Sequence, residues 1–225
     1  MILGNLTPRA LRHRRRKRAE ELGYWRDRVR SEGRLGNWHY ESLFTTLFGI
    51  PRDWYAAKRM LDIGCGPRGS LEWAHEAAER VGLDPLARAY SSLGTDEHEM
   101  TYVRGRAEEI AFGSGHFDVV SLFNALDHVD DVARAIAEVT RIAAEAARLL
   151  VIVQTNHPAT SSEPHQLGWD VLRRFDGGWR VVTERQLEMQ SELIHLEAER
   201  GIEYDHSRPG RRGVLVAELV RTGGG

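Results

Sequence analysis

The run Met60-Leu-Asp-Ile-Gly-Cys-Gly-Pro-Arg-Gly-Ser-Leu-Glu-Trp73 constrains the fold of this chain more than any other segment. Apolar Met60, Leu61 and Ile63 lead into Gly64, Gly66 and Gly69, and Ser70 follows as a good helix cap. That order predicts a buried strand, a sharp glycine turn and the start of a helix. A second acid stands about twenty residues on, in Val81-Gly-Leu-Asp-Pro85, at the spacing where a carboxylate on the next strand tip meets a ribose. Together they predict a nucleoside-bearing cofactor at the carboxyl edge of a parallel sheet.

The rest of the chain repeats the alternation. Strands are expected over 59–63, 81–83, 100–104, 117–123, 148–154, 179–183 and 213–220. Helices are expected over 8–30, 70–79, 86–93, 132–147 and 169–175, while 184–200 fits either strand or helix. Strand-helix alternation implies parallel strands joined by right-handed crossovers. The last two strands have no comparable helix between them and so close the sheet as an antiparallel edge. The expected class is α/β: a Rossmann-like, doubly wound, mostly parallel seven-stranded sheet. Residues 1–58 would form an N-terminal helical cap or lid, and 59–222 the α/β domain.

Bulk properties narrow the setting. The length of 225 residues suits one α/β domain with a small appendage. A net charge of −2 gives no global attraction to nucleic acid or membrane. The single cysteine, Cys65, excludes an internal disulfide. No apolar run is long enough to span a bilayer, and none follows the basic N-terminus as a secretory signal would. A cytoplasmic location is expected. The basic cluster of Arg12, Arg14, Arg15, Arg16, Lys17 and Arg18 reads as a solvated helix face paired with Glu20 and Glu21.

In the glycine turn, Gly64 and Gly66 let the backbone approach a ligand with no Cβ in the way. Asp62 is placed to bond the loop amides or, through water, an ammonium group. Asp84 is placed to accept from two ribose hydroxyls.

Four stretches carry a resemblance: Leu61-Asp-Ile-Gly-Cys-Gly-Pro67, Gly82-Leu-Asp-Pro85, Arg106-Ala-Glu-Glu-Ile-Ala-Phe112 and Phe117-Asp-Val-Val-Ser-Leu-Phe-Asn-Ala-Leu-Asp-His-Val-Asp-Asp131. In order and spacing, over 59–153, the chain resembles the class I S-adenosylmethionine-dependent methyltransferases of small-molecule type. The resemblance implies S-adenosylmethionine as cofactor and S-adenosylhomocysteine as product. It would lay Gly64, Cys65 and Gly66 along the methionyl part, Asp84 on the ribose and Leu83 and Pro85 beside the adenine. It would also set the Ala107 N–H on an adenine nitrogen and the Asn124 carbonyl on the methionyl ammonium. Two positions depart from the pattern. Arg68 stands where a third glycine is common, and Arg106 where an aspartate binds the adenine amino group; Glu108 is the substitute on offer. A nicotinamide dehydrogenase shares the glycine spacing, but the stretch with Asn124 and His128 fits methyl transfer better.

Transfer from a sulfonium requires alignment more than a covalent nucleophile. A base serves only acceptors that must lose a proton. His128, just after strand four, is the first candidate. The polar, proline-stiffened loop 155–166 brings His157, Glu163 and His165 to the same edge; His165 is a second catalytic candidate, and His157 and Glu163 are substrate candidates. No metal is expected among them. Trp38, His39 and Tyr40 are expected to cover the site, Tyr40 toward the cofactor and Trp38 and His39 toward substrate. Phe44 and Phe48 fit either that pocket or the core. The expected partner is a small-molecule acceptor with a hydroxyl, amine or carboxylate. Nucleic acid and membrane are not expected, and a homodimer is compatible. An RNA methyltransferase guided by the arginines and a non-catalytic nucleoside-binding protein are the alternatives.

Overall fold

The computed structural model describes residues 8–223; residues 1–7 of the expected cap and the last two glycines lie outside the described residues. A long helix, α1 (Pro8–Glu32), comes first, and a short one, α2 (Tyr40–Phe44), follows. The sheet strands are β1 (Arg59–Ile63), β2 (Glu79–Asp84), β3 (Thr101–Arg104), β4 (Phe117–Phe123), β5 (Ala143–Thr155), β6 (Trp179–Glu188) and β7 (Gly213–Arg221). Between them lie α3 (Ala87–Tyr90), α4 (Val132–Ile142) and α5 (Ile194–Arg200).

The strands form one sheet in the order β3-β2-β1-β4-β5-β7-β6. The pairs β1–β2, β1–β4, β2–β3 and β4–β5 are parallel. β7 runs antiparallel between β5 and β6. This is the mostly parallel sheet with an antiparallel edge expected from the sequence. The order reverses between β1 and β4, and a reversal of this kind opens a crevice beyond the strands' carboxyl ends. Two apolar layers cover the sheet. One packs α4 against Leu61, Val120, Leu149 and Leu215. The other packs Phe44, Phe48, Tyr55 and Trp73 against Met60, Val119 and Leu150. Phe44 and Phe48 therefore belong to the core, not to a lid.

Several local expectations change. No helix follows the glycine turn. Residues 69–77 make successive three-residue turns, with Glu72, Ala74 and Ala77 bonding back to Gly69, Leu71 and Ala74 at 3.1–3.2 Å. Ser70 does not cap a helix, because its hydroxyl is spent on the buried Asp62 carboxylate. Leu71, Trp73 and Ala74 are all buried, a spacing that a helix over a flat sheet does not provide. α4 stops at Ile142, five residues early, because Ala143 turns extended and Ala146 takes a φ of 58°. β5 begins there instead and is correspondingly longer. The ambiguous stretch divides into the end of β6 and the short α5.

Candidate active site

A cavity of about 580 Å³ opens at the carboxyl ends of β1, β2 and β4. Its floor is mainly backbone. Gly64 has a φ of 75° and donates its N–H to the Leu83 carbonyl at 2.8 Å. A Cβ here would stand 2.7 Å from that of Ala125. Gly66, with a φ of 57°, donates to Asp84 Oδ2 at 3.3 Å. The Leu86 N–H reaches Asp84 Oδ1 at 2.7 Å. Asp84 is thus clamped by two main-chain donors and is only 2% exposed. Burial raises its pKa, and the Leu86 and Gly66 N–H groups oppose that rise. Across the floor, Asn124 has a φ of 51° and anchors its N–H on Ile152 at 2.7 Å. Its side-chain Oδ1 is buried with no hydrogen-bond partner among the described residues. A polar ligand in the cavity is the natural partner for that oxygen.

A helical cap over 1–58 was expected, but the side chains it turns toward the cavity were not read from the sequence. Arg14, Lys17, Arg18, Glu21, Tyr24, Trp25 and Arg28 of α1 all face the cavity. They recur at three- and four-residue steps, one face of a helix. Because the stripe is polar, no apolar period announces it. Arg14 pairs with Asp130 at 2.7 Å, and the Lys17 ammonium donates to the His128 carbonyl. Trp25 closes over Gly66, where an added Cβ would meet its ring at 2.9 Å, and Arg68 lies over the same ring at 5.6 Å. Glu21 faces Asp84; burial first, and then the Asp84 charge, push its carboxyl up to about 7. Only part of the basic run is therefore the solvated face expected: Arg16 pairs with Glu20 at 2.7 Å as predicted, while Glu21 and Lys17 turn inward.

Of the cofactor candidates, Tyr40, Gly64, Cys65, Gly66, Asp84, Pro85, Ala107, Glu108 and Asn124 line the cavity. Asp62 does not. It lies beneath the floor, where it accepts from Ser70 and, at 2.6 Å, from Ser121, and burial pushes its carboxyl up to about 6. It braces β1 against β4. Glu108 lines the wall, but Arg106 at 2.9 Å and the Asp130 N–H at 2.6 Å already engage its oxygens. Burial raises the Cys65 thiol pKa, so it stays protonated.

The acceptor candidates separate. His39, His128 and Glu163 line the cavity. His39 stacks on His195 at 4.7 Å, and burial pulls its pKa down to about 4, so it is a neutral imidazole. His128 Nε2 lies 3.7 Å from Glu163 Oε1, and His157 Nδ1 lies 3.6 Å from Glu163 Oε2. Trp38 is 77% exposed, edge-on to His39 and outside the cavity, because its short loop carries it past the roof. His165 is also outside: its Nε2 donates to the Val129 carbonyl at 2.9 Å and ties down the loop. His157 stands behind Glu163. Among the described residues no helix is long and apolar enough to cross a membrane.

Fold, switch-point crevice, glycine floor and clamped carboxylate define a class of protein. Residues 61–151 match the methyltransferase-domain family. Over this segment the chain is similar to the class I methyltransferases. An uncharacterized methyltransferase of Synechocystis sp. is 29% identical over 133 residues, 58% of this chain and 60% of that protein. The chloroplastic tocopherol O-methyltransferase of Arabidopsis thaliana is 26% identical over 121 residues, 50% of this chain and 35% of that enzyme. The chain thus spans less than two thirds of either relative. A methyltransferase solved with the Trm112 methyltransferase activator of Haloferax volcanii shares the fold, with a TM-score of 0.63 at 16% identity over 91% of this chain and 98% of that one.

Proposed function

We propose that this chain transfers a methyl group from S-adenosylmethionine to a hydroxyl, amine or carboxylate of a small molecule. The observation that carries the reading is the clamped Asp84 carboxylate opposite the unpartnered Asn124 Oδ1, in one roofed cavity. The donor set fits the cofactor: a carboxylate for ribose hydroxyls, a glycine floor without side chains, and a spare oxygen for an ammonium. S-adenosylmethionine supplies, when bound, a methyl group on an already activated sulfonium. The residues do the rest. Gly64 and Gly66 admit the ligand, Asp84 fixes its sugar, and Ala107 offers a main-chain donor at the wall. His128 and Glu163 present polar groups to the acceptor. Trp25, Glu21 and Lys17 cover the site, and in this reading α1 moves aside to admit ligands and then excludes water.

A cavity of this volume falls in the small-molecule range. The tocopherol O-methyltransferase named above is a relative with such an acceptor. Guidance of RNA by the arginines finds less support, since Arg14 and Lys17 are engaged with Asp130 and His128 beside the cavity. The test is a screen with methyl-labelled S-adenosylmethionine over phenols, amines, carboxylic acids and structured RNA. Labelled small-molecule product supports the reading. Labelled RNA alone, or tight cofactor binding with no product from any acceptor, contradicts it.

A further inference from the structure

We propose that Asp127, His128 and Glu163 form a divalent-metal site in the cavity wall, with Thr160 holding Glu163 in place. One ligand atom from each of the three lies within 4.8 Å of the other two. The site departs from the metal-free one expected from the sequence.

The set is assembled across the fold. Asp127 and His128 follow β4, whereas Glu163 comes from the loop after β5. That loop is folded back deliberately. Asn156 bonds Leu167 at 2.8 Å, Thr160 and Glu163 bond each other, and His165 bonds Val129 beside His128. The result is two carboxylates packed around an imidazole.

The His128–Glu163 distance favours a cation over a hydrogen bond. At 3.7 Å the separation is too long for a hydrogen bond. It lies near the ~3.4 Å edge of a tetrahedron whose ligands stand ~2.1 Å from its centre. Asp127 is 3% exposed, yet its Oδ1 has no hydrogen-bond partner among the described residues. A buried carboxylate oxygen left so is costly unless a positive charge meets it. Neither neighbouring cation bonds that oxygen. Lys17 donates to the His128 carbonyl, and Arg212 places its two terminal nitrogens on Glu192 at 2.7 and 2.8 Å. Thr160 Oγ1 donates to Glu163 Oε2 at 3.2 Å and is the outer partner that orients the ligating carboxylate, with the His157 ring 3.6 Å from the same oxygen.

One imidazole and two carboxylates suit manganese, iron, cobalt or zinc in the divalent state. Three protein ligands leave coordination positions open, and His128 and Glu163 face the cavity. If the methyl-transfer reading holds, an acceptor oxygen bound there loses its proton more readily, which specifies how His128 and Glu163 meet the acceptor.

The test is titration of the chelator-treated full chain with manganese(II), followed by electron paramagnetic resonance, and with cobalt(II), followed by visible absorption. One equivalent is expected to bind. Glu163→Gln and Asp127→Asn should each weaken binding by tenfold or more, and Thr160→Ala by roughly tenfold. His128→Ala should alter the cobalt spectrum. Absence of a one-equivalent site, or equal affinity in wild type and Glu163→Gln, overturns the proposal. Glu163 sits on a loop, so that variant carries the test even if Asp127→Asn does not fold. Titration of the metal-free protein with S-adenosylhomocysteine decides the cofactor reading separately.

Discussion

The floor and the roof of the cavity are built on opposite principles. The floor is main chain: Gly64, Gly66 and Leu86 place their N–H groups, and Asp84 is locked between two of them. It rests on strands whose neighbours are buried on both faces. The roof is side chain: Arg14, Lys17, Glu21 and Trp25 reach in from one helix through ion pairs, hydrogen bonds and a ring. A floor made of backbone resists side-chain substitution except where glycine is obligatory. A roof made of long polar side chains is held by weak, solvent-screened interactions and is suited to opening.

The contrast breaks most sharply at Gly64. Gly64→Val puts a β-branched side chain at a φ of 75° and drives it into Ala125. A loss of about 4 kcal/mol, or roughly 10 °C in melting temperature, is expected. Calorimetric melting that moves by less than a degree or two would mean the floor is as pliable as the roof.

Glu21 tests the roof. Its folded pKa of about 7 lies above the ordinary carboxylate value, so the folded state holds a proton that the unfolded state releases. Stability linked to Glu21 is therefore present at low pH and declines as pH rises from about 4.5 through about 7. Glu21→Gln should remove this decline. It should raise the melting temperature at pH 8 by several degrees, on the order of 3 kcal/mol at most, and leave it unchanged near pH 4. Parallel pH profiles in variant and wild type would place Glu21 in solvent, away from Asp84.

The smallest effect is expected at His165. Losing its bond to Val129 should cost about 1 kcal/mol, seen as a slight drop in melting temperature, with turnover close to wild type. A large loss of turnover with unchanged stability would return His165 to the chemistry.

The same division governs what the sequence revealed. The floor was legible because each part is a short local run: apolar strand, glycines, acid at the strand tip. The mostly parallel sheet with its antiparallel edge followed from the alternation and its broken final crossover. The helical cap was expected, but its inward face was not legible, because a polar stripe at helical spacing looks like any solvated face until the partner groups at Asp130, His128 and Asp84 are in view. The turns over 69–77 escaped for a related reason. Ser70 has the residue type of a cap, and only the distant Asp62 and Ser121 decide that its hydroxyl goes elsewhere. Likewise the loop 155–166 shows its histidines but not their directions. Long-range bonds send His165 to Val129 and turn Glu163 toward His128.

The clamped carboxylate bears the whole functional reading, and calorimetric titration with S-adenosylhomocysteine addresses it directly. Wild type should bind one equivalent. Asp84→Ala should bind at least tenfold more weakly, the loss of about 1.5–3 kcal/mol that a charge-assisted hydrogen bond supplies. Equal affinity in the two proteins, or no binding to the folded wild type, would contradict the assignment of this cavity as the cofactor site.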